Sequence, residues 1–401
     1  MDVVVIGGGV SGLTCAIELS RRKFNVTILE KLSTSGKKIL ATGNGRCNYW
    51  NEDFSNKHFY CGDSSFIREV NTLENRNEVN KFFTSIGIVP SIKNGYYYPL
   101  SKEASSVRNA LILELSELGV KFINDANVNK VTSVNDRFTV YFNDRKIECD
   151  KVVMATGSYA YYNDKTCGYD LCKSFGHTIN SVIPSLVQLV DDKCTFKECQ
   201  GVRINSKLSL YVDSKLEKEE EGELMLTDYG ISGICTFNIS GYASRALNNN
   251  KKVNVVINFL PTINNLEEFL EKRNNEMGKR KIDEFLEGLM NYKLVYLLLK
   301  KANISKDKRW SELSLEEKNT LCKSIAEFNL SIVSTKSYNN AQVCSGGLDV
   351  REVNPKTFES KKKKGLYIVG EMLDVDGECG GYNLGFAFLS GLIAGRSVNN
   401  D

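Results

Sequence analysis

Asp2-Val3-Val4-Val5-Ile6-Gly7-Gly8-Gly9-Val10-Ser11-Gly12 stands at the start of the chain and decides the fold class. Residues 2–6 form an apolar run rich in β-branched side chains, the pattern of a central parallel strand. The run stops at a G-x-G-x-x-G made by Gly7, Gly9 and Gly12. Leu13, Ala16, Ile17 and Leu19 then face one side of a helix that ends in Ser20-Arg21-Arg22-Lys23. A second strand is predicted over 26–29, terminating on Glu30 with Lys31 beside it. In such a unit the first glycine permits a tight turn and the second lets a pyrophosphate approach the backbone. The third lets the helix pack closely on the strand. Free N–H groups and the positive end of the helix dipole, with Ser11 in its first turn, then face the phosphates. Glu30, 18 residues past Gly12, is placed to accept hydrogen bonds from a ribose diol and repels a 2′-phosphate. These residues predict a dinucleotide, FAD or NAD rather than NADP, and do not separate the first two.

Three further segments point to FAD. Residues 149–155 read as a buried strand leading into Ala155-Thr156-Gly157, where FAD proteins return the chain beside the cofactor. Residues 365–369 form another parallel-type strand that runs into Gly370 and Glu371. Glu371 and Asp374 compete there for the role of contacting the ribityl chain and pyrophosphate. Gly380-Gly381-Tyr382-Asn383 then opens a helix running through Leu384, Phe386, Phe388, Leu389, Leu392 and Ile393 to Gly395. Its apolar residues lie on nearly every side, so burial is expected. Its N-terminus would face the flavin N1 and C2 carbonyl, where reduced flavin carries its negative charge. A second G-x-G-x-x-G is not found, so no separate nicotinamide domain is expected.

Composition sets the outer limits. The chain has 401 residues, 52 basic against 49 acidic, and a net charge of +3. That balance gives no reason to expect a nucleic-acid or membrane partner, and a small-molecule substrate is expected. Lys361 to Lys364 read as a solvated loop. No run of 18 apolar residues occurs, and an apolar strand pattern from Asp2 leaves no room for a secretory signal. A cytoplasmic protein with reduced thiols is expected. The twelve cysteines contain no C-x-x-C, the closest pairs being Cys167/Cys172 and Cys194/Cys199. With His58 and His177 the only histidines, a histidine-built metal site or a hydrolytic triad is poorly supplied and no metal is expected. His177 follows Phe175-Gly176 and reads as a helix stop.

A longer pattern joins these segments. It comprises Ser35-Gly36-Lys37-Lys38-Ile39-Leu40-Ala41-Thr42-Gly43-Asn44-Gly45-Arg46-Cys47-Asn48, Gly95-Tyr96-Tyr97-Tyr98-Pro99, Leu226-Thr227-Asp228-Tyr229-Gly230-Ile231-Ser232-Gly233 and the stretch from Gly370 to Gly391. Together they resemble the bacterial FAD flavoproteins of the BaiN-like and aminoacetone-oxidase-like group. The resemblance runs from residue 1 to about 396. It departs at Ser158-Tyr159-Ala160-Tyr161, where the family has glycine, serine and proline, and at Cys344-Ser345, where it often has T-G. Both departures fall where substrate is expected.

The resemblance implies an α/β fold. A Rossmann-type, glutathione-reductase-like FAD-binding domain is interrupted by a β-barrel-like insert with a small helical subdomain. The expected boundaries are 1–185 and 344–401 for the FAD-binding domain, 186–262 with 329–343 for the β-rich insert, and 263–328 for the helices. Non-covalent FAD would contact Gly36, Lys37, Lys38, Thr42, Gly43 and the Gly45-Arg46-Cys47-Asn48 loop, with Gly381, Tyr382, Asn383 and Leu384 at the flavin. Val128 follows a helix predicted over 105–118; it lends its backbone to the adenine edge or simply begins a meander reaching Cys149. Strands are predicted over 186–190, 207–212, 222–226 and 253–259, with 215–221 as a charged hairpin connection. Tyr96 to Tyr98, Tyr159, Tyr161, Tyr162 and Tyr382 are candidate aromatic walls for a substrate. No residue stands out as a catalytic acid or base, and the sequence does not give the oligomeric state. Two activities follow from family relatives: reduction of a conjugated C=C in a bile-acid or steroid enone with NADH or NADPH, or oxidation of a small amine by O2. A flavin-containing nucleic-acid-binding protein is the alternative of another class.

Overall fold

The computed structural model describes residues 1–161 and 168–399 and divides into two compact units, Met1–Val182 with Val343–Asp401 and Ile183–Gln342. The first unit is built on a five-stranded parallel sheet. Its order is Leu366–Ile368, Lys151–Met154, Asp2–Ile6, Asn25–Leu29 and Lys121–Ile123. The adjacent runs Asp2–Ile6 and Lys151–Met154 bury both faces, so they do not alternate as a one-sided strand would. Val10–Arg21 connects the first two strands as a helix, and the C-terminal helix Tyr382–Ser397 packs against it. The order and parallel sense are those of a Rossmann-type fold.

The connection from Lys121–Ile123 back to Lys151–Met154 is an antiparallel meander: Val128–Val134, Arg137–Phe142 and Arg145–Cys149. Asn135 and Asp136 turn the first hairpin with φ of 48° and 59°, the left-handed conformation that tight hairpins need. Cys149 thus ends the meander, and the buried parallel strand begins at Lys151. The helix expected over 105–118 is Ala104–Glu117.

The second unit contains a closed antiparallel barrel. Its order is Leu189–Asp191, Gly230–Gly233, Lys215–Thr227, Arg203–Val212, Val253–Asn258 and Phe328–Thr335. One expectation is corrected here: 215–221 is strand, not connection. The turn is Asp213-Ser214, with φ of 48° and 68°, and the charged residues beyond it pair across the ladder, as Lys207 does with Glu219 at 3.1 Å. The helices Leu266–Met277, Ile282–Leu286, Tyr292–Lys301 and Leu315–Ala326 form the helical part. Fully buried Trp310 stacks on Phe285 at 5.8 Å, and Phe196, Phe259 and Phe328 extend the same core beside the barrel.

His177 is a buried cross-brace in the first unit. Its Nδ1 lies 3.0 Å from Glu352 and its Nε2 lies 2.8 Å from the Ser360 hydroxyl. Burial holds its imidazole below the ordinary value of 6.5, outweighing the pull of Glu352. The folded ring therefore resists a proton that the unfolded ring accepts, and stability falls as pH drops below about 6.5. Thermal unfolding followed from about pH 7.5 to about pH 5.5 should show a falling midpoint that falls less in His177→Gln.

Candidate functional site

The C-terminal ends of the central strands open into a cavity of about 620 Å³ within the first unit. At one wall the strand Asp2–Ile6 delivers the chain into Gly7, whose φ is +109°. A Cβ on Gly7 would lie 2.3 Å from the Ala155 carbonyl oxygen, so only glycine lets the two strand ends touch. Gly12 is not at the cavity wall; it sits where a Cβ would meet the Gly7 carbonyl, setting how closely the helix lies on the turn. Gly9 differs: a Cβ there meets nothing within 4 Å, because its open side faces the cavity. Ser11 lines the same wall, at the start of the helix.

Glu30 sits across from this turn. Its Oε2 accepts the Gly8 N–H at 2.7 Å and its Oε1 accepts the Leu32 N–H at 2.8 Å. A carboxylate has further acceptor sites, so Glu30 can brace the glycine turn and still receive a ribose hydroxyl. Lys31 and Val128 line the cavity at this end, with Leu32, Thr34 and Asn127. Val128 thus lines the cavity and also begins the meander.

Gly36, Lys37, Lys38, Ala155, Thr156, Gly157 and Glu371 carry the cavity to its other end. There the Lys38 ammonium donates to Glu371 Oε2 at 2.7 Å. The Ser158 hydroxyl donates to Glu371 Oε1 at 2.6 Å, and the Cys344 N–H donates to the same oxygen at 3.1 Å. Burial, then the Glu371 charge, pushes the Cys344 thiol up to about 12, so it stays neutral. Glu371 and not Asp374 reaches the cavity. Asp374 is buried elsewhere, accepting from the Asn180 amide at 2.8 Å, while Gly370 supplies the bend before Glu371 without lining the wall.

The remaining expected residues gather apart from this cavity. Thr42, Gly43, Gly45 and Arg46 lie in or beside the short turn Lys37–Gly45, with Arg46 exposed. Cys47 is fully buried beneath it, and burial pushes its thiol up to about 11, the opposite of a reactive thiolate. The Asn48 amide, oriented to donate, reaches the Trp50 carbonyl at 3.0 Å and the Tyr97 carbonyl at 3.1 Å. Gly381, Tyr382, Asn383 and Leu384 begin the C-terminal helix, where Tyr382 stacks on His58. Of the described tyrosines expected as walls, none lines this cavity; Tyr97 packs on Tyr49, Tyr159 on Tyr169 and Tyr382 on Phe54 and Phe59. Tyr162 and Cys167 lie outside the described residues. Ser158, marked in the sequence only as a departure from the family pattern, lines the cavity, and so do Asn127, Gly168 and Ala387, which no local spacing marks because they meet only through the fold.

An open glycine edge, a helix N-terminus and a carboxylate at one end, with a polar cluster at the other, fit an extended dinucleotide such as FAD. A family model described as HI0933-like protein Rossmann domain matches residues 1–397. The 3-dehydro-bile acid delta(4,6)-reductase of Clostridium scindens is 36% identical over 98% of each chain. The ribosomal RNA dihydrouridine synthase of Haemophilus influenzae is 27% identical over 99% of this chain and 98% of its own. The solved structure of a 3-ketosteroid-delta4-(5alpha)-dehydrogenase from Rhodococcus jostii RHA1 superposes with a TM-score of 0.51 at 14% identity. It covers 99% of this chain and 96% of that one, which establishes the shared fold.

Gly9 has extended backbone, φ −80° and ψ −177°, that valine adopts without strain. Gly9→Val should therefore fold normally yet fill the space a pyrophosphate needs. Dinucleotide affinity should fall roughly 10- to 100-fold, with circular dichroism unchanged.

Proposed function

The chain belongs to the family described as HI0933-like protein Rossmann domain and is a flavoprotein oxidoreductase, and we propose that it reduces a conjugated C=C of an apolar, polycyclic enone. The observation that carries this reading is the full-length similarity to a bile-acid delta(4,6)-reductase, joined to a cavity shaped for one dinucleotide. FAD, when bound, supplies hydride exchange at N5. The chain's own residues then bind and orient it. Gly7 to Ser11 receive the pyrophosphate, Glu30 the ribose, and Lys38 with Glu371 and Ser158 the far end. NADH or NADPH is the proposed electron donor. With no second glycine fingerprint, the donor shares the access that the substrate uses.

A second reading, reduction of a uracil ring in RNA, draws on the same chemistry, because the uracil C5=C6 bond is conjugated to its C4 carbonyl. One observation favours it. Residues 279–309 hold nine Lys or Arg against four Asp or Glu, an excess of five that exceeds the +3 of the whole chain. On the helix Tyr292–Lys301 in this segment, Tyr292 and Tyr296 are 58% and 44% exposed, and Lys300 lies one turn further on. Lys306 sits 5.8 Å from the Tyr296 ring. Exposed aromatic faces among cations suit stacked, single-stranded bases.

Anaerobic stopped flow on the purified flavoprotein separates the readings. Rapid bleaching by NADH or NADPH, followed by reoxidation with a steroid 4-en-3-one, is the expected result. Bleaching by small amines alone would overturn the reductase. Fluorescence anisotropy with labelled oligouridylate tests the second reading: salt-sensitive binding, weakened roughly tenfold by Tyr292→Ala with Tyr296→Ala, would favour RNA. Absence of binding at low salt would remove it.

A further inference from the structure

The start of the C-terminal helix is held in an unusual way. The strand Val375–Gly377 leads through Glu378 and Cys379 into Gly380 and Gly381, with φ of +133° and +94°, before the helix begins at Tyr382. Two successive glycines in these conformations have little stiffness of their own. The direction of the helix's first turn must therefore be imposed by contacts from outside. Gly385 donates to the Gly381 carbonyl at 2.8 Å, so the N–H groups of Tyr382, Asn383 and Leu384 precede the helix's own ladder. These are the donors expected at the flavin, and Ala387, about one turn further along the same helix, lines the dinucleotide cavity.

The outside contacts come from residues 51–61. Phe59–Cys61 pairs antiparallel with Val375–Gly377. The Asn51 amide donates to the Gly380 carbonyl at 2.9 Å, and the Glu378 N–H donates to the His58 carbonyl at 3.0 Å. The Asn383 side chain closes the turn from within, accepting the Gly377 N–H and donating to the Gly377 carbonyl, each at 2.8 Å. His58 brackets the glycine pair. Before the glycines, its Nδ1–H donates to Glu378 Oε2 at 2.6 Å. After them, its ring stacks on Tyr382 with centroids 4.6 Å apart and planes 20° apart. Its Nε2 faces Asp53 Oδ2 at 3.1 Å, and Lys57 in turn pairs with Asp53 at 2.7 Å. The imidazole is thus fixed on both edges and one face.

We propose that His58 is a positioning residue of the redox site, clamping Glu378 and Tyr382 so that the helix's first N–H groups stay aimed at the flavin. The proposal rests on the flavoprotein reading given above. His58 acts through the turn rather than on the reacting atoms. A side chain that merely stabilised the fold would alter unfolding without altering the bound flavin. A positioning role makes the flavin itself the reporter, because moving fixed donors at its pyrimidine end changes its spectrum and its ease of reduction.

The test uses the FAD-loaded full chain and three variants. His58→Phe keeps a ring against Tyr382 and loses both ring nitrogens, and His58→Gln retains an N–H for Glu378. Glu378→Gln weakens the same bond from the other side. In His58→Phe the visible flavin band should shift, and the limiting rate of flavin reduction should fall about tenfold, the loss expected for one charge-assisted hydrogen bond. The KM for the electron donor and the thermal midpoint of the apoprotein should hold. His58→Gln should recover most of the rate, and Glu378→Gln should shift the band in the same direction. Should His58→Phe fail to fold, Glu378→Gln decides by the same band and rate. An unchanged band and rate in FAD-loaded His58→Phe overturns the proposal, as does a loss of rate that merely follows a loss of fold stability. A wild-type chain that binds no FAD overturns the flavin reading and the proposal with it. A wild type that binds FAD beside an unaltered variant overturns the His58 role alone.

Discussion

The contact between Gly7 and the Ala155 carbonyl governs what the rest of the molecule can do. Strand ends in a parallel sheet diverge into loops, and a side chain between these two would hold them apart. With hydrogen at that position, the backbones meet at a distance no Cβ would allow. The consequences run outward. The helix Val10–Arg21 begins close against the sheet, its first N–H groups face the cavity, and Gly9 presents an open edge beside them. Glu30 can then accept the Gly8 N–H and fix the turn from the next strand. Forcing a methyl group into such a contact costs on the order of 1–3 kcal/mol and moves every group that depends on the turn.

The far end of the cavity is built on a different principle. Lys38, Ser158, Cys344 and Glu371 come from four distant parts of the chain and meet on one carboxylate. The ion pair keeps about a third of the lysine and a fifth of the glutamate side chain exposed, so neither charge is fully desolvated. The hydroxyl and the backbone N–H take up acceptor capacity that the lysine leaves. An arrangement of this kind holds a carboxylate in one orientation while leaving part of it facing the cavity. Ser158 and Cys344 belong to the two stretches, 158–161 and 344–345, where the resemblance implies a departure, and both reach the same carboxylate.

What could be read in advance follows from how far apart the interacting residues are. The strand, glycine turn, helix and Glu30 lie within thirty residues, so their order alone specifies the cradle. The choice between Glu371 and Asp374 was open because both follow Gly370 closely, and only the Asn180 contact shows that Asp374 turns inward. Residues 42–48 carry a recognisable motif, yet they shape a turn from which Asn48 reaches residues 50 and 97, and none of them lines the cavity, because a motif records what is near, not which way it faces. Residues 215–221 look like a loop by charge, but alternation across an exposed ladder satisfies the same composition in a strand. Net charge misleads in a comparable way: an average near zero conceals the local excess over 279–309.

The chain order also explains why so large an excursion is tolerated. Residues 183–342 leave and rejoin the first unit between its fourth and fifth strands. Closing a loop of that length costs about 4–5 kcal/mol beyond a constant, and the cost grows only logarithmically with further residues. The excursion has its own barrel and its own aromatic core, so its folding energy offsets its closure rather than drawing on the nucleotide cradle. The cradle, in contrast, needs both chain ends, since the helix Val10–Arg21 packs against Tyr382–Ser397. Changes inside the excursion can therefore leave the Gly7–Ala155 contact and the Glu371 cluster as they are. Changes at either terminus cannot be confined in that way, because they act directly on the packing that sets the cavity.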